Sequence, residues 1–334
     1  MKNKWITILA YFQHLNMKKV YNFFLLYSSF LISRTIKKPI IWGYPTTLSI
    51  EPTTSCNLRC PECPSGLRSF SRPTGMLSEE LYLKVIQETK GYLTYLHLYF
   101  QGEPFLHPQF TELIALANKE GIYTSTSTNA HYLNKKNVDK TLKSGLKQLI
   151  VSMDGITQAV YEDYRVGGKL SKVQTGLRQL LQERKERRML YPRVILQFLV
   201  TGKNEHQIPT LKQWAKTIGV DELQLKTTQI YDYENGSELI PTNTDYSRYI
   251  PDGQGKWKLK KEIENKCWRM WQGAVITWDG RLVPCCFDKD GSHVMGKVAI
   301  EPIKSIWKNK KYTAFRTQLL EDRKQIEICK NCSE

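Results

Sequence analysis

The chain has 334 residues, of which 41% are hydrophobic and 24% are charged. This is the composition of a globular protein of about two domains, and it excludes a disordered, collagen-like or polytopic membrane chain. The formal net charge of +17 favours anionic partners, such as a lipid surface, nucleic acid or a phosphorylated or carboxylated substrate, without choosing among them.

Residues 1–45 are predicted to form a basic, amphipathic helical extension. No acidic residue precedes Glu51, whereas lysines and arginines are interspersed with apolar and aromatic residues. The apolar run around Phe23 and Phe24 is short for a bilayer span, and the first apolar run lacks the small-residue cleavage site of a signal peptide. Two interpretations stay open, a helical cap packed on the main domain and a peripheral contact with anionic lipid on the inner face of the membrane.

Residues 46–231 alternate between strand-like and helix-like segments. Strands are predicted at residues 47–51, 95–100, 122–126, 149–153, 194–200 and 223–227. The helices between them begin at Ser78 or span residues 108–119, 135–143, 173–188 and 208–217. Because parallel neighbouring strands need crossover connections, this order predicts one parallel sheet, either doubly wound or part of a barrel.

The alternation stops after residue 231. Residues 232–266 are polar and contain several prolines and glycines, which is typical of a linker. Residues 267–334 are predicted to form a small cysteine-bearing unit with a hairpin of residues 274–277 and 281–283, joined by the turn Asp279-Gly280.

The eight cysteines are clustered, three within residues 56–63 and five within residues 267–332. Clustered thiols without a secretion signal indicate metal ligands in a reducing cytoplasm. Cys56, Cys60 and Cys63 follow the first predicted strand, and three thiolates can hold three irons of a cubic iron–sulfur cluster. The fourth iron would stay open, as the open position of a catalytic metal does.

The Cys56-x-x-x-Cys60-x-x-Cys63 spacing resembles the signature of radical S-adenosylmethionine (radical SAM) enzymes. Further positions resemble that family's motifs in order: Gly102-Glu103-Pro104, Thr128-Asn129, Ser152, Asp154, Tyr161, Arg165, Gly167, Gly168 and Asn204. Glu62 departs from the family, which usually has a bulky residue before the third cysteine that packs near the adenine.

The resemblance implies an α/β fold, a partial (β/α)6 barrel with its active site at the C-terminal strand ends. It implies that Cys56, Cys60 and Cys63 bind a [4Fe-4S] cluster whose open iron is chelated by SAM. Reductive cleavage of SAM would give a 5′-deoxyadenosyl radical that abstracts hydrogen from a substrate, with an electron from a donor such as flavodoxin or ferredoxin. SAM would be contacted by Gly102, Glu103, Pro104, Asn129, Ser152, Asp154, Arg165 and Asn204.

The remaining cysteines resemble the auxiliary-cluster tail called SPASM, or its short form, twitch. The pattern comprises Cys267, Gly280, Cys285 and the pair Cys329 and Cys332. It implies a second [4Fe-4S] cluster held by Cys267, Cys285, Cys329 and Cys332, with Cys286 as the alternative to Cys285. A tetrahedral zinc site is the other interpretation of four such thiolates.

Three functions are compatible with these patterns. The first is a radical SAM oxidoreductase or maturase with one auxiliary cluster and a peptide, sugar or lipid-linked substrate. The second is a nucleic-acid-modifying radical SAM enzyme, suggested by the net charge. The third is a non-enzymatic iron–sulfur or zinc protein, against which the three-cysteine open site argues.

Overall fold

The structure is a computed structural model that describes residues 13–332. Its centre is a sheet whose first six strands follow chain order. They are β1 (Thr47–Ile50), β2 (Tyr95–His97), β3 (Tyr123–Thr128), β4 (Gln148–Ser152), β5 (Arg193–Val200) and β6 (Glu222–Thr227). Each pairs in parallel with the next, which confirms the predicted α/β partial barrel.

Helices occupy the crossovers between these strands. They are α2 (Pro64–Leu67), α3 (Glu79–Thr89), α4 (Phe110–Lys119), α5 (Lys135–Lys143), α6 (Gln158–Tyr164), α7 (Leu170–Glu186) and α8 (Ile208–Ile218); the N-terminal helix α1 (Met17–Ile36) precedes β1. The predicted helix start at Ser78 is confirmed, because its side chain accepts a hydrogen bond from Leu81 N. Gly219 ends α8 at a φ of 77°, a backbone conformation that suits glycine.

Apolar side chains between the sheet and its helices form one continuous core. Leu96, Val151 and Leu196 on the central strands are fully buried, as are Leu113 and Leu177 on the helices. Each such side chain stabilises the fold by about 1.5–3 kcal/mol through burial. The core therefore holds the C-terminal strand ends in fixed positions.

The C-terminal hairpin extends the same sheet. It consists of β9 (Gly273–Ile276) and β10 (Arg281–Val283), with β11 (Gly296–Lys297) at the edge. β9 pairs in parallel with β1, so that Leu48 lies opposite Ala274. The predicted hairpin is present, and it is a continuation of the barrel sheet rather than a sheet of its own.

Short helices complete the C-terminal region: α9 (Arg269–Gln272), α10 (Ile303–Trp307) and α11 (Lys310–Asp322). Arg316 on α11 is fully buried. Its Nε donates to Met270 O at 3.1 Å, its Nη1 donates to Trp307 O at 2.8 Å, and its guanidinium lies 3.7 Å from the centre of the Tyr312 ring. This arginine thus joins α9, α10 and α11.

The segment predicted as a linker contains structure of its own. Strands β7 (Tyr249–Pro251) and β8 (Trp257–Leu259) form an antiparallel hairpin. Tyr249 packs with Ile230 and Ile240 in a small apolar cluster, and its hydroxyl contacts Asn331 Oδ1 at 2.8 Å. The hairpin therefore connects the end of the barrel to the C-terminal cysteines.

Helix α1 accounts for the predicted N-terminal extension; residues 1–12 lie outside the described part. Asn16 caps the helix, and the Asn22 side chain pairs with both the N–H and the carbonyl of Tyr44. None of the helices within residues 13–332 is both long and apolar enough to cross a membrane.

Candidate active site

A cavity of about 190 Å³ lies at the C-terminal ends of β1 to β5. In barrel enzymes this end carries the chemistry, because the loops after the strands converge there. The residues that line it are Cys56, Leu58, Cys60, Cys63, Ser65, Gly66, Tyr99, Phe100, Gly102, Glu103, Ser127, Thr128, Asn129, Ser152, Tyr164, Arg165 and Leu199.

The three cysteines of the first cluster all line this cavity. N–H groups face two of the sulfurs: Asn129 Nδ2 lies 3.9 Å from Cys56 Sγ, and Arg165 Nη1 lies 3.8 Å from Cys60 Sγ. Burial raises the pKa of Cys60, and it raises the pKa of Cys56 to about 11. Metal binding would therefore release protons from these thiols, as metal–thiolate formation requires.

The cysteine loop is held against the short helix α2. A Cβ atom at Gly66 would lie 2.5 Å from Cys60 N, so glycine permits this close approach. Within residues 13–332, no three His, Cys, Asp or Glu side chains converge closely enough to share a single metal ion. The three thiols line one cavity, an arrangement that suits a multi-iron group.

Glu103 connects the loops after β2 and β3. Its carboxylate accepts hydrogen bonds from Thr128 Oγ1 at 2.7 Å, Asn129 N at 2.8 Å and Phe105 N at 3.2 Å. Burial raises the pKa of Glu103 to about 7, although these hydrogen bonds oppose the shift. The preceding Gly102 has a φ of 75°, and a Cβ there would lie 2.3 Å from Thr53 O.

A second polar group lies behind the cavity wall. Asp154 forms an ion pair with Arg165 and accepts a hydrogen bond from Leu199 N at 2.7 Å. Asn204 donates to Asp154 O at 3.0 Å and to Leu199 O at 2.9 Å, and it is only 1% exposed. These bonds fix the end of β4 against the end of β5.

The residues predicted to contact SAM thus divide into two sets. Gly102, Glu103, Asn129, Ser152 and Arg165 line the cavity. Pro104, Asp154 and Asn204 are not among the lining residues; Pro104 begins a short 3-10 turn, Pro104–Leu106. Asp154 and Asn204 support the cavity wall from behind through their bonds to Arg165 and Leu199.

The structure adds lining residues that the motifs did not include. Ser127 lies two residues before Asn129, and alternation along β3 could have indicated it. Leu199 on β5 and Tyr164 beside Arg165 carry no comparable signal. The unusual Glu62 does not line the cavity; its carboxylate accepts a hydrogen bond from Tyr231 N at 2.9 Å.

Among the tail cysteines, Cys267, Cys329 and Cys332 lie close enough to Arg323 to interact with its charge. Arg323 Nη2 donates to Cys332 Sγ at 3.1 Å. Burial raises the pKa of Cys267 and Cys285, and it raises that of Cys329 to about 11. The Arg323 cation opposes this shift at Cys267 and Cys329, so it favours their thiolate forms.

Cys286 directly follows Cys285 in the chain. Its Sγ is 3.7 Å from Arg269 Nη1. Burial raises the pKa of Cys285 well above its ordinary value, and the nearby thiols of Cys286, Cys267 and Cys329 add to the shift.

A larger cavity of about 790 Å³ adjoins the tail cysteines. Cys267, Cys285 and Cys286 line it, and Tyr99 and Phe100 line both this cavity and the smaller one. Its remaining wall is aromatic and basic and includes Phe30, Arg34, Tyr95, His97, Lys261, Lys266, Trp268 and Arg269. Two cysteine groups therefore face adjoining cavities that share a wall.

Two family models match the chain. The Radical SAM superfamily matches residues 50–215, and SPASM, an iron-sulfur cluster-binding domain, matches residues 267–333. Together they cover most of the chain and account for both cysteine clusters.

Similar proteins include the tungsten-containing aldehyde ferredoxin oxidoreductase cofactor-modifying protein of Pyrococcus furiosus. It is 26% identical over 302 residues, covering 80% of this chain and 82% of that protein. A PqqA peptide cyclase of Bradyrhizobium diazoefficiens is 24% identical, covering 73% of this chain and 67% of that protein.

Among solved structures, Streptococcus suis SuiB bound to its precursor peptide SuiA has the same fold. The TM-score is 0.64 at 14% identity, covering 90% of this chain and 71% of SuiB. The matched family models, the strand order and the cysteines at the strand ends agree. The chain belongs to the radical SAM superfamily and carries a C-terminal SPASM iron–sulfur domain.

Proposed function

We propose that this radical SAM enzyme modifies a peptide by hydrogen abstraction, with one auxiliary cluster beside the substrate. The observation that carries the proposal is the shared wall of Tyr99 and Phe100. A substrate in the larger cavity would lie next to the smaller cavity and also next to the tail cysteines.

In this proposal Cys56, Cys60 and Cys63 hold a [4Fe-4S] cluster with one open iron. Bound there together with SAM, such a cluster would supply the one electron needed to cleave SAM to a 5′-deoxyadenosyl radical. The chain binds and orients SAM through Glu103, whose carboxylate is fixed by three hydrogen bonds, and through the Arg165 guanidinium.

The second [4Fe-4S] cluster is assigned to Cys267, Cys285, Cys329 and Cys332. Four cysteine ligands leave no open iron, which suits electron transfer rather than SAM cleavage. Arg323 donates to the sulfur of Cys332, and such hydrogen bonds raise the potential of a cluster. Such a cluster would supply an acceptor for the one electron that the substrate radical loses after hydrogen abstraction.

The peptide substrate is supported by two relatives. One similar protein is named a PqqA peptide cyclase, and SuiB has been solved with a precursor peptide. The larger cavity adds a chemical preference, because Arg34, Lys261 and Arg269 line it, whereas its one acidic residue, Glu264, is paired with Lys266 at 2.7 Å. A peptide with an acidic side chain complements this wall.

The proposal also includes two partners. A small electron-transfer protein such as flavodoxin or ferredoxin would reduce the first cluster. Peripheral contact with an anionic membrane is supported by the net charge of +17 and by the lack of acidic residues before Glu51.

The test is anaerobic reconstitution followed by iron analysis and a SAM-cleavage assay. We expect about eight irons per chain in the wild type and about four in both Cys56→Ala and Cys329→Ala/Cys332→Ala. Cys56→Ala should form no 5′-deoxyadenosine, whereas the tail variant should still form it without product. Wild-type protein with full iron content that cleaves no SAM would refute the proposal.

The substrate class is tested separately. Acidic peptides should accelerate 5′-deoxyadenosine formation and acquire a mass change, and neutral peptides of equal length serve as the control. Acceleration by sugars or by RNA, but by no peptide, would refute a peptide substrate and leave the SAM chemistry intact.

A further inference from the structure

Helix α1 buries a mixed face of polar and apolar side chains and exposes a face that is mostly apolar. The face against the protein carries Lys19, Asn22, Leu26, Ser29, Phe30 and Ser33, all of them buried. The opposite face, here called the outer face, consists of Met17, Val20, Tyr21, Phe24, Tyr27, Leu31 and Ile32, all of them exposed. An ordinary surface helix buries its apolar stripe.

Hydrogen bonds on the polar side fix this orientation. Asn22 pairs with both backbone groups of Tyr44 at 2.8 and 2.9 Å. Ser33 Oγ accepts from Ile40 N at 2.8 Å, and Lys19 Nζ donates to Gly121 O at 2.7 Å. Rotation of the helix to bury its apolar side would break these bonds and leave buried polar groups unpaired.

The outer face is large and strongly exposed. Met17 is 82% exposed, Tyr21 66% and Phe24 69%. The helix has 20 residues and is therefore about 30 Å long. A contiguous apolar surface of this extent on a folded chain marks a binding surface.

The charges that flank the outer face of α1 indicate which kind of partner binds it. Lys18, Arg34, Lys37 and Lys38 are exposed at the two ends of the helix, and the first 50 residues contain no carboxylate side chain. Two copies of this basic surface would repel each other in a symmetric dimer. An anionic bilayer satisfies both features, because it takes up the apolar side chains and attracts the flanking cations.

We infer that the outer face of α1 is a docking surface for an anionic lipid bilayer, on which the helix lies parallel to the membrane plane. Tyr21 and Phe24 enter the boundary between headgroups and acyl chains, and the lysines contact lipid phosphates. This identifies the surface responsible for the membrane contact in the proposed function, and it does not depend on the radical chemistry.

The position of the helix has a consequence for the larger cavity. Phe30 and Arg34 on α1 line that cavity. Phe23, Tyr27 and Phe30 contact the ring of Trp268, another lining residue, at centroid distances of 5.2–6.1 Å. A docked enzyme therefore holds this wall of the substrate cavity beside the bilayer.

The test is flotation of the reconstituted full-length enzyme with phosphatidylcholine vesicles, with and without phosphatidylglycerol. We expect binding only to vesicles that contain phosphatidylglycerol, and release at high salt. Tyr21→Glu/Phe24→Glu should weaken this binding by at least about tenfold, because two apolar contacts are lost. The matched control is Leu190→Glu/Ile300→Glu, which changes the charge equally at exposed apolar residues outside α1 and should bind like the wild type.

Three results would overturn the inference. The first is wild-type protein that floats with neither vesicle, and the second is equal loss of binding in both double variants. The third is a wild-type dimer that Tyr21→Glu/Phe24→Glu dissociates, which would assign the outer face to a second copy. SAM cleavage without vesicles should stay within about twofold of wild type in all variants, because these surface positions lie outside the site. Failure of the docking inference can therefore be distinguished from failure of the enzymatic proposal.

Discussion

The guanidinium of Arg165 joins Asp154 to the sulfur of Cys60. Its Nε pairs with the Asp154 carboxylate, while its Nη1 lies 3.8 Å from Cys60 Sγ. The buried Asp154 thereby fixes a cation beside the cysteine loop. The pair raises the pKa of Arg165 well above its ordinary value despite burial, so the guanidinium stays charged.

Two replacements of Arg165 should separate its role in SAM binding from its role as the ion-pair partner of Asp154. Arg165→Lys keeps the charge but loses the forked geometry, so we expect SAM affinity to fall by about tenfold with little loss of stability. Arg165→Met leaves Asp154 buried without its partner and should lower the free energy of unfolding by about 3–5 kcal/mol. Equilibrium SAM binding and anaerobic urea denaturation measure these effects.

Arg188→Met is the control for this pair, because Arg188 lies exposed just after α7 and its loss should change stability by less than about 0.5 kcal/mol. If Arg165→Met unfolds at the urea concentration of the wild type, the pair does not stabilise the fold.

Glu103 should make SAM affinity depend on pH. Its pKa is raised from 4.5 to about 7, so the carboxyl is largely neutral at pH 6 and charged at pH 8. A charged carboxylate binds an ammonium group more strongly, so SAM affinity should rise with pH by up to about tenfold per unit below pH 7. Calorimetric titration of the reconstituted enzyme at pH 6, 7 and 8 measures this slope.

In Glu103→Gln the affinity for SAM should no longer change with pH, and it should be low from pH 6 to pH 8. Glu80→Gln, at an exposed position in the first turn of α3, should behave like the wild type. A slope that persists unchanged in Glu103→Gln would assign the titration to another group.

Gly102 should tolerate no side chain. It has a φ of 75°, and a Cβ would lie 2.3 Å from Thr53 O, so Gly102→Ala must shift the loop that carries Glu103. We expect the variant to lose SAM binding and at least about 2 kcal/mol of stability.

Gly253→Ala is the matched control, since Gly253 has a φ of 86° with open space around it. It should cost only about 1 kcal/mol and leave SAM binding unchanged. Equal losses in the two glycine variants would show that backbone strain alone, and not the close approach to Thr53, explains the effect.

Replacing Cys285 and replacing Cys286 should have different effects on the iron content of the reconstituted protein. Cys285 lies with Cys267 and Cys329, whereas Cys286 lies beside Arg269. Cys285→Ala should therefore lose the tail cluster and fall to about four irons, and Cys286→Ala should keep about eight. The reverse result would make Cys286 the ligand.

Much of the barrel could be predicted because its signals are local. The expected strand at residues 47–51 is found as Thr47–Ile50, and that at residues 194–200 as Arg193–Val200. Short apolar runs separated by capped helices are enough to identify such elements. Helix α6 was not predicted, and its seven residues lie between Thr157 and Arg165 with only Tyr161 and Tyr164 buried.

Long-range pairing could not be predicted. The tail hairpin was recognised from its turn, but its pairing with β1 joins residues as distant as Thr47 and Gly273, and no local pattern records this. The candidate site likewise contains residues with a local sequence signal and residues whose position depends on long-range pairing. The cysteine spacing indicated the first cluster directly, whereas the supporting position of Asn204 depends on how β4 and β5 meet.

The pairing of β9 with β1 affects how the protein is made. During synthesis β1 has no neighbour on that side until residues 273–276 have left the ribosome. At 5–20 residues per second this interval lasts roughly 10–45 s. The nascent chain therefore exposes one edge of the strand that leads into the first cysteine loop until the carboxyl-terminal hairpin closes the sheet.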